Sequence, residues 1–339
     1  MKKTGFGIIG TGAIAGKHAD AIKELDNGEL IAMCSSNPER ARSASSKFEI
    51  KTYSDITDFL KHPGLDIVCV CTASGKHYEA TIQAANAGKH VIVEKPIEIN
   101  LDRADKMIQT CWENGVKLGV IFQNRFNEDY LLLKKWVKEG LLGDLLMGNA
   151  YVNWFRSPTY YSESPWKGTL SGDGGGAFIN QGIHTIDLLL DIMGEVSSVY
   201  AQVRTALYAI EGEDIGAAVL NFRNGALGNI TASTALFPGY PERLEVYGKN
   251  GSVILEAGKM THQNIQGFEH SNPQKNIEGS GFSDPMAIGH QLHLEQFRDF
   301  LEAVKDDREP LVNGQEARKS LELITGIYES SREGRVVFL

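Results

Sequence analysis

The chain has 339 residues, 42% of them hydrophobic and 23% charged, and a formal net charge of −9. That length suits two domains, and the acidic balance argues against nucleic acid or an anionic membrane as the main partner. No apolar run reaches membrane-spanning length, and residues 1–20 lack the order of a secretion signal.

The chain opens on a strand-like run, Phe6 to Ile9, that leads into Gly10-Thr11-Gly12 and then into helix formers. Glycines there serve either a tight turn or a phosphate seat that a Cβ would obstruct. The context favours the seat: Gly10-x-Gly12-x-x-Ala15 follows a strand and opens a helix, with Ala13 and Ile14 in its first turn. Such a helix N-terminus faces a pyrophosphate.

A second strand, "ELIAMCS", ends at Cys34-Ser35-Ser36-Asn37. A NAD site usually carries an acid at this tip for the ribose hydroxyls. Here Ser35, Ser36 and the cation of Arg40 stand instead, a set that suits a 2′-phosphate; the plainer reading of Arg40 is a solvated helix residue. NAD(P) is the expected cofactor, leaning to NADP. "PERARSASSKF" is a helix with Pro38 in its first turn.

The run "DIVCVCT" is the next strand, followed by "ASGKH" and a helix. Cys69 and Cys71 share one face of that strand. With Cys34 and Cys111 they read as small buried hydrophobes in a reducing cytoplasm, and no metal is expected. Thr72 and His77 flank the strand's carboxyl edge, where ligands of a parallel sheet bind. "HVIVEKP" ends in Glu94-Lys95-Pro96, and a lysine at that edge could reach both a ribose and a reacting oxygen. The alternative is an exposed strand-end lysine. After the helix "LDRADKMIQTCWENG" comes the strand "KLGVIFQ", with Arg125 just beyond it as a candidate substrate contact. Strand-helix alternation over residues 1–124 predicts a doubly wound parallel sheet.

Residues 125–339 read differently. A helix, "NEDYLLLKKWVKEG", precedes four long strand-like stretches between 145 and 257. Hairpin signals fall at Asn224-Gly225 and Asn250-Gly251. The pattern predicts an open, mostly antiparallel sheet, an exposed loop over 262–288, and helices over 289–330 that pack back toward the first domain. Both alternating faces of the strands carry apolar residues, such as Val219 and Leu220, which predicts a homodimer or homotetramer built on the sheet.

Within this half, "SGDGGGAFINQGIHTIDLLLDIMGE" has helical spacing from Ile179. Ile179, Ile183, Ile186 and Leu190 form an apolar stripe, and Asn180, His184 and Asp187 a separate polar one. Three glycines upstream favour close approach of something to that helix end. "SPWKG" supplies Trp166, a stacking surface or a core aromatic, and Lys167, a partner for a carboxylate.

GxGxxA, Glu94-Lys95-Pro96 and the glycine-rich run into Gly182-x-His184-x-x-Asp187 together resemble the Gfo/Idh/MocA oxidoreductases across essentially the whole chain. The resemblance implies a Rossmann domain followed by an α/β domain with a large open sheet. It also implies Lys95 and His184 as catalytic residues, frequently a cis bond before Pro96, and a sugar, polyol or nucleotide-sugar substrate. Asn180 stands where the family often has Asp; an amide cannot titrate but can position a hydroxyl. The motif details resemble members that oxidise UDP-N-acetylglucosaminuronate at C3. On this reading His184 is the general base, Lys95 stabilises the alkoxide, and Asp187 orients the imidazole. Two rivals are a redox-assisted NAD-dependent glycosidase and a dinucleotide-binding regulator without chemistry.

Overall fold

The computed structural model describes residues 3–268 and 289–339. The chain divides into two compact units, residues 1–123 with 289–318 and residues 124–288 with 319–339.

In the first unit, β1 (Thr4–Ile9), β2 (Gly28–Cys34), β3 (Lys51–Tyr53), β4 (Leu65–Val70), β5 (His90–Val93) and β6 (Leu118–Val120) form one sheet. Its order is β3-β2-β1-β4-β5-β6, parallel throughout. The order reverses between β1 and β4, so their carboxyl ends frame a crevice of the kind that holds ligands in such sheets. Helices α1 (Ala13–Lys23), α2 (Pro38–Phe48), α3 (Ile56–Leu60), α4 (His77–Asn86) and α5 (Leu101–Glu113) connect the strands. Local chemistry sets their starts. Pro38 occupies the first turn of α2 behind Asn37, whose side chain accepts from the Glu39 and Arg40 amides, and Asp55 caps α3 in the same way.

Strands buried on both sides explain the near-continuous apolar runs: Ile67, Val68, Cys69 and Val70 are all fully buried. The four cysteines are free and buried. A later helix completes this core, and Phe297 stacks on Phe6 at 6.0 Å between ring centroids.

The second unit is built on an eight-stranded sheet. It contains α6 (Glu128–Lys138), β7 (Leu145–Asn153), α7 (Pro158–Ser162), α8 (Ile183–Met193), β8 (Val196–Arg204), β9 (Ile215–Phe222), β10 (Leu227–Ser233), β11 (Arg243–Gly248), β12 (Gly251–Glu256) and β13 (Lys259–Ile265). Two helices and a short strand close the chain: α9 (Gln291–Lys305), which carries Phe297 and lies in the first unit, α10 (Gly314–Glu333), and β14 (Val337–Phe338). The sheet runs β13-β12-β11-β7-β10-β9-β8-β14, antiparallel except where β10 meets β7. The chain is therefore α/β, with one parallel and one mostly antiparallel sheet.

α8 covers one face of the second sheet. An added Cβ on Gly148 would stand 2.8 Å from Leu189 Cδ1, so glycine lets helix and strand approach there. Leu220 points inward and is fully buried, whereas Val219 points outward and is 50% exposed. Residues 262–265, expected as loop, instead close the edge strand β13; the loop expected over 269–288 lies outside the described residues.

Candidate functional site

The two opening glycines do different work. Gly10 has φ +98°, and a Cβ there would lie 2.5 Å from the Cys71 carbonyl oxygen. The protein itself demands that glycine, because β1 and the end of β4 touch at this point. A Cβ on Gly12 would meet nothing within 4 Å. Gly12 is also the N-cap of α1, which has no side-chain cap and no acid in its first turn. The Ala15 amide reaches back to the Gly12 carbonyl at 3.2 Å, but no side chain caps the first amides of α1, which leaves room for an anion seat. The buried Thr72 hydroxyl, at the end of β4, has no hydrogen-bond partner among the described residues. A cradle that a side chain would fill, uncapped amides and an orphaned hydroxyl at the sheet's switch point fit the pyrophosphate and ribose of a dinucleotide.

At the tip of β2, Ser35 is buried and accepts from the Thr11 hydroxyl at 3.0 Å, tying the glycine turn to this strand. Ser36 and Arg40 are exposed. Asp55 comes near enough to act on Cys34, whose thiol burial pushes up to about 11, with Asp55 adding to it. Its carboxylate is engaged in capping α3, through the Thr57 and Asp58 amides.

Lys95 follows β5. From Val91 to Glu98 it alone is not buried, and the Lys95–Pro96 peptide is cis, as the resemblance implies. Two neighbours expected to touch cofactor face inward instead. His77 is fully buried, with Nδ1 2.8 Å from the Pro96 carbonyl and Nε2 3.3 Å from that of Thr72. Burial lowers its pKa, and its ring braces the loop from beneath through these two carbonyls. Glu94 is buried as well, 2.7 Å from His18 Nε2. The His77 side chain has no exposed surface, and little of Glu94 is exposed.

In the second unit the glycine-rich run approaches the protein rather than a ligand. A Cβ on Gly176 would stand 1.7 Å from the Glu213 carbonyl oxygen. The Glu213 carboxylate in turn accepts from the Phe178 amide at 2.8 Å and from Tyr328 at 3.1 Å. Burial pushes this carboxyl up to about 7. This latch starts a π-helical turn, Phe178–Gly182, that runs into α8. Such turns recur at functional sites.

Between Gly175 and Leu190 only Asn180 and His184 are not buried. Two polar groups four residues apart thus emerge from an otherwise buried segment. The Asn180 amide donates to both oxygens of Asp173, at 2.6 and 2.8 Å, and Asp173 also accepts from the Gly168 amide at 3.0 Å. Asp173 is only 2% exposed; sequence reasoning missed it, although an acid amid glycines was a signal. Gln181 donates to Tyr160 at 2.9 Å, and Lys167 lies 3.7 Å over the Tyr160 ring. Trp166 is 36% exposed, so it is not a core aromatic.

Asp187 and Arg125 correct the reading of the polar stripe. Asp187 is fully buried and Arg125 3% exposed. Arg125 donates to Asp187 through Nε at 2.7 Å and Nη2 at 2.8 Å, and to Asp191 at 3.1 Å. Ser320 also donates to Asp187. The carboxylate anchors α8 to Arg125 and Ser320, and the guanidinium is a buried clamp.

Residues 4–122 match the model of the oxidoreductase family with an NAD-binding Rossmann fold, and residues 130–254 match the GFO/IDH/MocA C-terminal domain. The chain is 29% identical to myo-inositol 2-dehydrogenase of Thermotoga maritima, over 98% of both chains. It is 26% identical to an NADP+-dependent scyllo-inositol 2-dehydrogenase of Bacillus subtilis, over 98% of this chain and 95% of the other. The crystal structure of the WlbA dehydrogenase from Bordetella pertussis, in complex with NADH and UDP-GlcNAcA, superposes with a TM-score of 0.90. It shares 32% identity over 100% of this chain and 99% of that one.

Proposed function

This chain belongs to the GFO/IDH/MocA oxidoreductase family and is an NAD(P)-dependent dehydrogenase of sugar or polyol hydroxyls; from that premise we propose that it oxidises a secondary hydroxyl of a nucleotide-linked uronate sugar. The observation that carries this reading is the emergence of Asn180 and His184 alone from a buried segment, in a chain that resembles a UDP-GlcNAcA-bound dehydrogenase along its whole length.

NAD(P), when bound, supplies the hydride acceptor. His184 takes the hydroxyl proton, since an imidazole titrates near neutral pH. Lys95 donates a hydrogen bond to the same oxygen as negative charge develops on it. Asn180 positions the sugar, its amide nitrogen held in one orientation by Asp173. Lys167, seated over Tyr160, meets the uronate carboxylate, and Trp166 stacks on the sugar or the nicotinamide.

The absence of an acid from 35 to 37, together with exposed Ser36 and Arg40, supports NADP over NAD. Fluorescence titration with NADPH and NADH tests this, and a tenfold or greater preference is expected from one charge-assisted contact of about 1.5–3 kcal/mol. Exposed Val219, Tyr200 and Leu227 on the outward sheet face support a homo-oligomer, which light scattering would reveal as a dimer or tetramer. The substrate assignment is tested by incubating the protein with UDP-GlcNAcA and NAD(P)+. Absorbance at the nicotinamide band should rise with formation of a keto-sugar. Release of free sugar without net reduction would favour a redox-assisted glycosidase instead.

A further inference from the structure

The first unit holds a buried polar cluster that the reaction described above does not use. His18 on α1, Glu94 after β5 and His293 on α9 are all buried. Glu94 Oε1 lies 2.7 Å from His18 Nε2 and 4.0 Å from His293 Nε2. Glu94 Oε2 accepts the main-chain N–H of Lys95 at 3.2 Å. The three ligand-type atoms sit within 4.8 Å of one another, close enough to suggest a cation site. The 2.7 Å separation argues for a shared proton instead, because two ligands of one tetrahedral zinc stand about 3.3 Å apart.

We propose that Glu94 is a positioning residue for Lys95: held by His18 and backed by His293, its buried carboxylate fixes the Lys95 main chain and keeps the adjoining ammonium protonated. The inference rests on Lys95 being the hydrogen-bond donor in the proposed reaction. It assigns the proton-accepting role to His184, a division that the residue types alone leave open.

Charges around Glu94 support it. Burial by itself would raise the Glu94 carboxyl, but the His18 hydrogen bond holds it at about 2, helped by charge interactions with His18 and Lys95. Beyond the hydrogen-bonded His18, the groups facing it from other elements carry little charge to compete. Burial pushes the Cys69 and Cys71 thiols on β4 far up. Burial lowers His77 on α4, and lowers His293 to about 4, with His18, His290 and Lys17 also acting on the latter. A carboxylate in so dry a setting acts on a neighbouring ammonium with little screening.

The test titrates the Lys95 amine directly. Brief acetylation with acetic anhydride across pH labels only free amine, and mass spectrometry of the Lys95 peptide gives its midpoint without substrate. In wild type the midpoint should lie at or above that of surface lysines in the same digest. In Glu94→Gln it should fall by about one pH unit, and in Glu94→Asp, which keeps the charge, it should stay near wild type. The alkaline limb of the kcat/KM profile should move with the midpoint, whereas a merely structural lesion lowers activity equally at all pH values. Equal midpoints in wild type and Glu94→Gln overturn the proposal. If Glu94→Gln does not fold, the wild-type midpoint decides alone, and a value well below the surface lysines overturns it. The dehydrogenase reading is judged separately: Lys95→Ala with wild-type kcat would refute the role of Lys95 whatever the labelling shows.

Discussion

Gly12 and Gly10 offer a paired perturbation in which fold and cofactor binding should separate. Gly12→Val places a branched side chain where nothing of the protein lies within 4 Å. The helix start loses at most about 1 kcal/mol, since glycine is a modest cap. If a pyrophosphate sits on the first amides of α1, the valine displaces it. Loss of two charge-assisted main-chain contacts at about 1.5 kcal/mol each raises Kd roughly a hundredfold. Gly10→Ala acts in the opposite sense. Its Cβ would stand 2.5 Å from the Cys71 carbonyl at φ +98°, and such strain costs on the order of 1–3 kcal/mol of stability. NADH and NADPH fluorescence titrations, each beside a thermal melt, are the assay. A Gly12→Val protein that binds either dinucleotide like wild type refutes the cradle. A Gly12→Val protein that loses binding only because it melts tens of degrees lower refutes the claim that the space is empty of protein.

Two further variants probe the second unit. Asp187→Asn takes the bidentate carboxylate from the buried Arg125 guanidinium, which still reaches Asp191, and should cost up to about 3 kcal/mol by thermal or urea unfolding; a stable variant with strongly reduced kcat would show instead that Asp187 serves His184. Glu213, raised from 4.5 to about 7 by burial, contributes stability that is complete below about pH 4.5 and lost as pH climbs through 7. Glu213→Gln should therefore melt like wild type at pH 5 and above it at pH 8, and an unchanged difference across that range would rule out a buried titrating carboxyl.

Much of this molecule is legible from local pattern. The apolar runs of β1, β4 and β5, the glycine turn and the Asn-Pro start of α2 are set by neighbours in sequence, so periodicity and cap chemistry find them. β3 and α3, at three and five residues, are too short to carry a period and went unread. The stripe holding Asn180, His184 and Asp187 was visible as spacing, but spacing is blind to what faces it. Arg125 lies 62 residues from Asp187, and their pairing turns a presumed catalytic carboxylate into a buried anchor. The same holds for the three glycines, whose close approach is to Glu213, and for His18, which meets Glu94 across 76 residues. Long-range polar pairs leave no mark on a single sequence, and in this protein they decide which members of a polar stripe face solvent.

Steady-state kinetics of Lys95→Ala, His184→Asn and Asn180→Ala with UDP-GlcNAcA and NAD(P)+, each with cofactor affinity measured separately, tests the central claim most directly. Removing the Lys95 donor should lower kcat by the equivalent of roughly 2.7–4 kcal/mol, removing the base should cost about 10²–10⁴-fold, and Asn180→Ala should act mainly on KM. Near-wild-type kcat in both Lys95→Ala and His184→Asn, with cofactor still bound, would contradict the account.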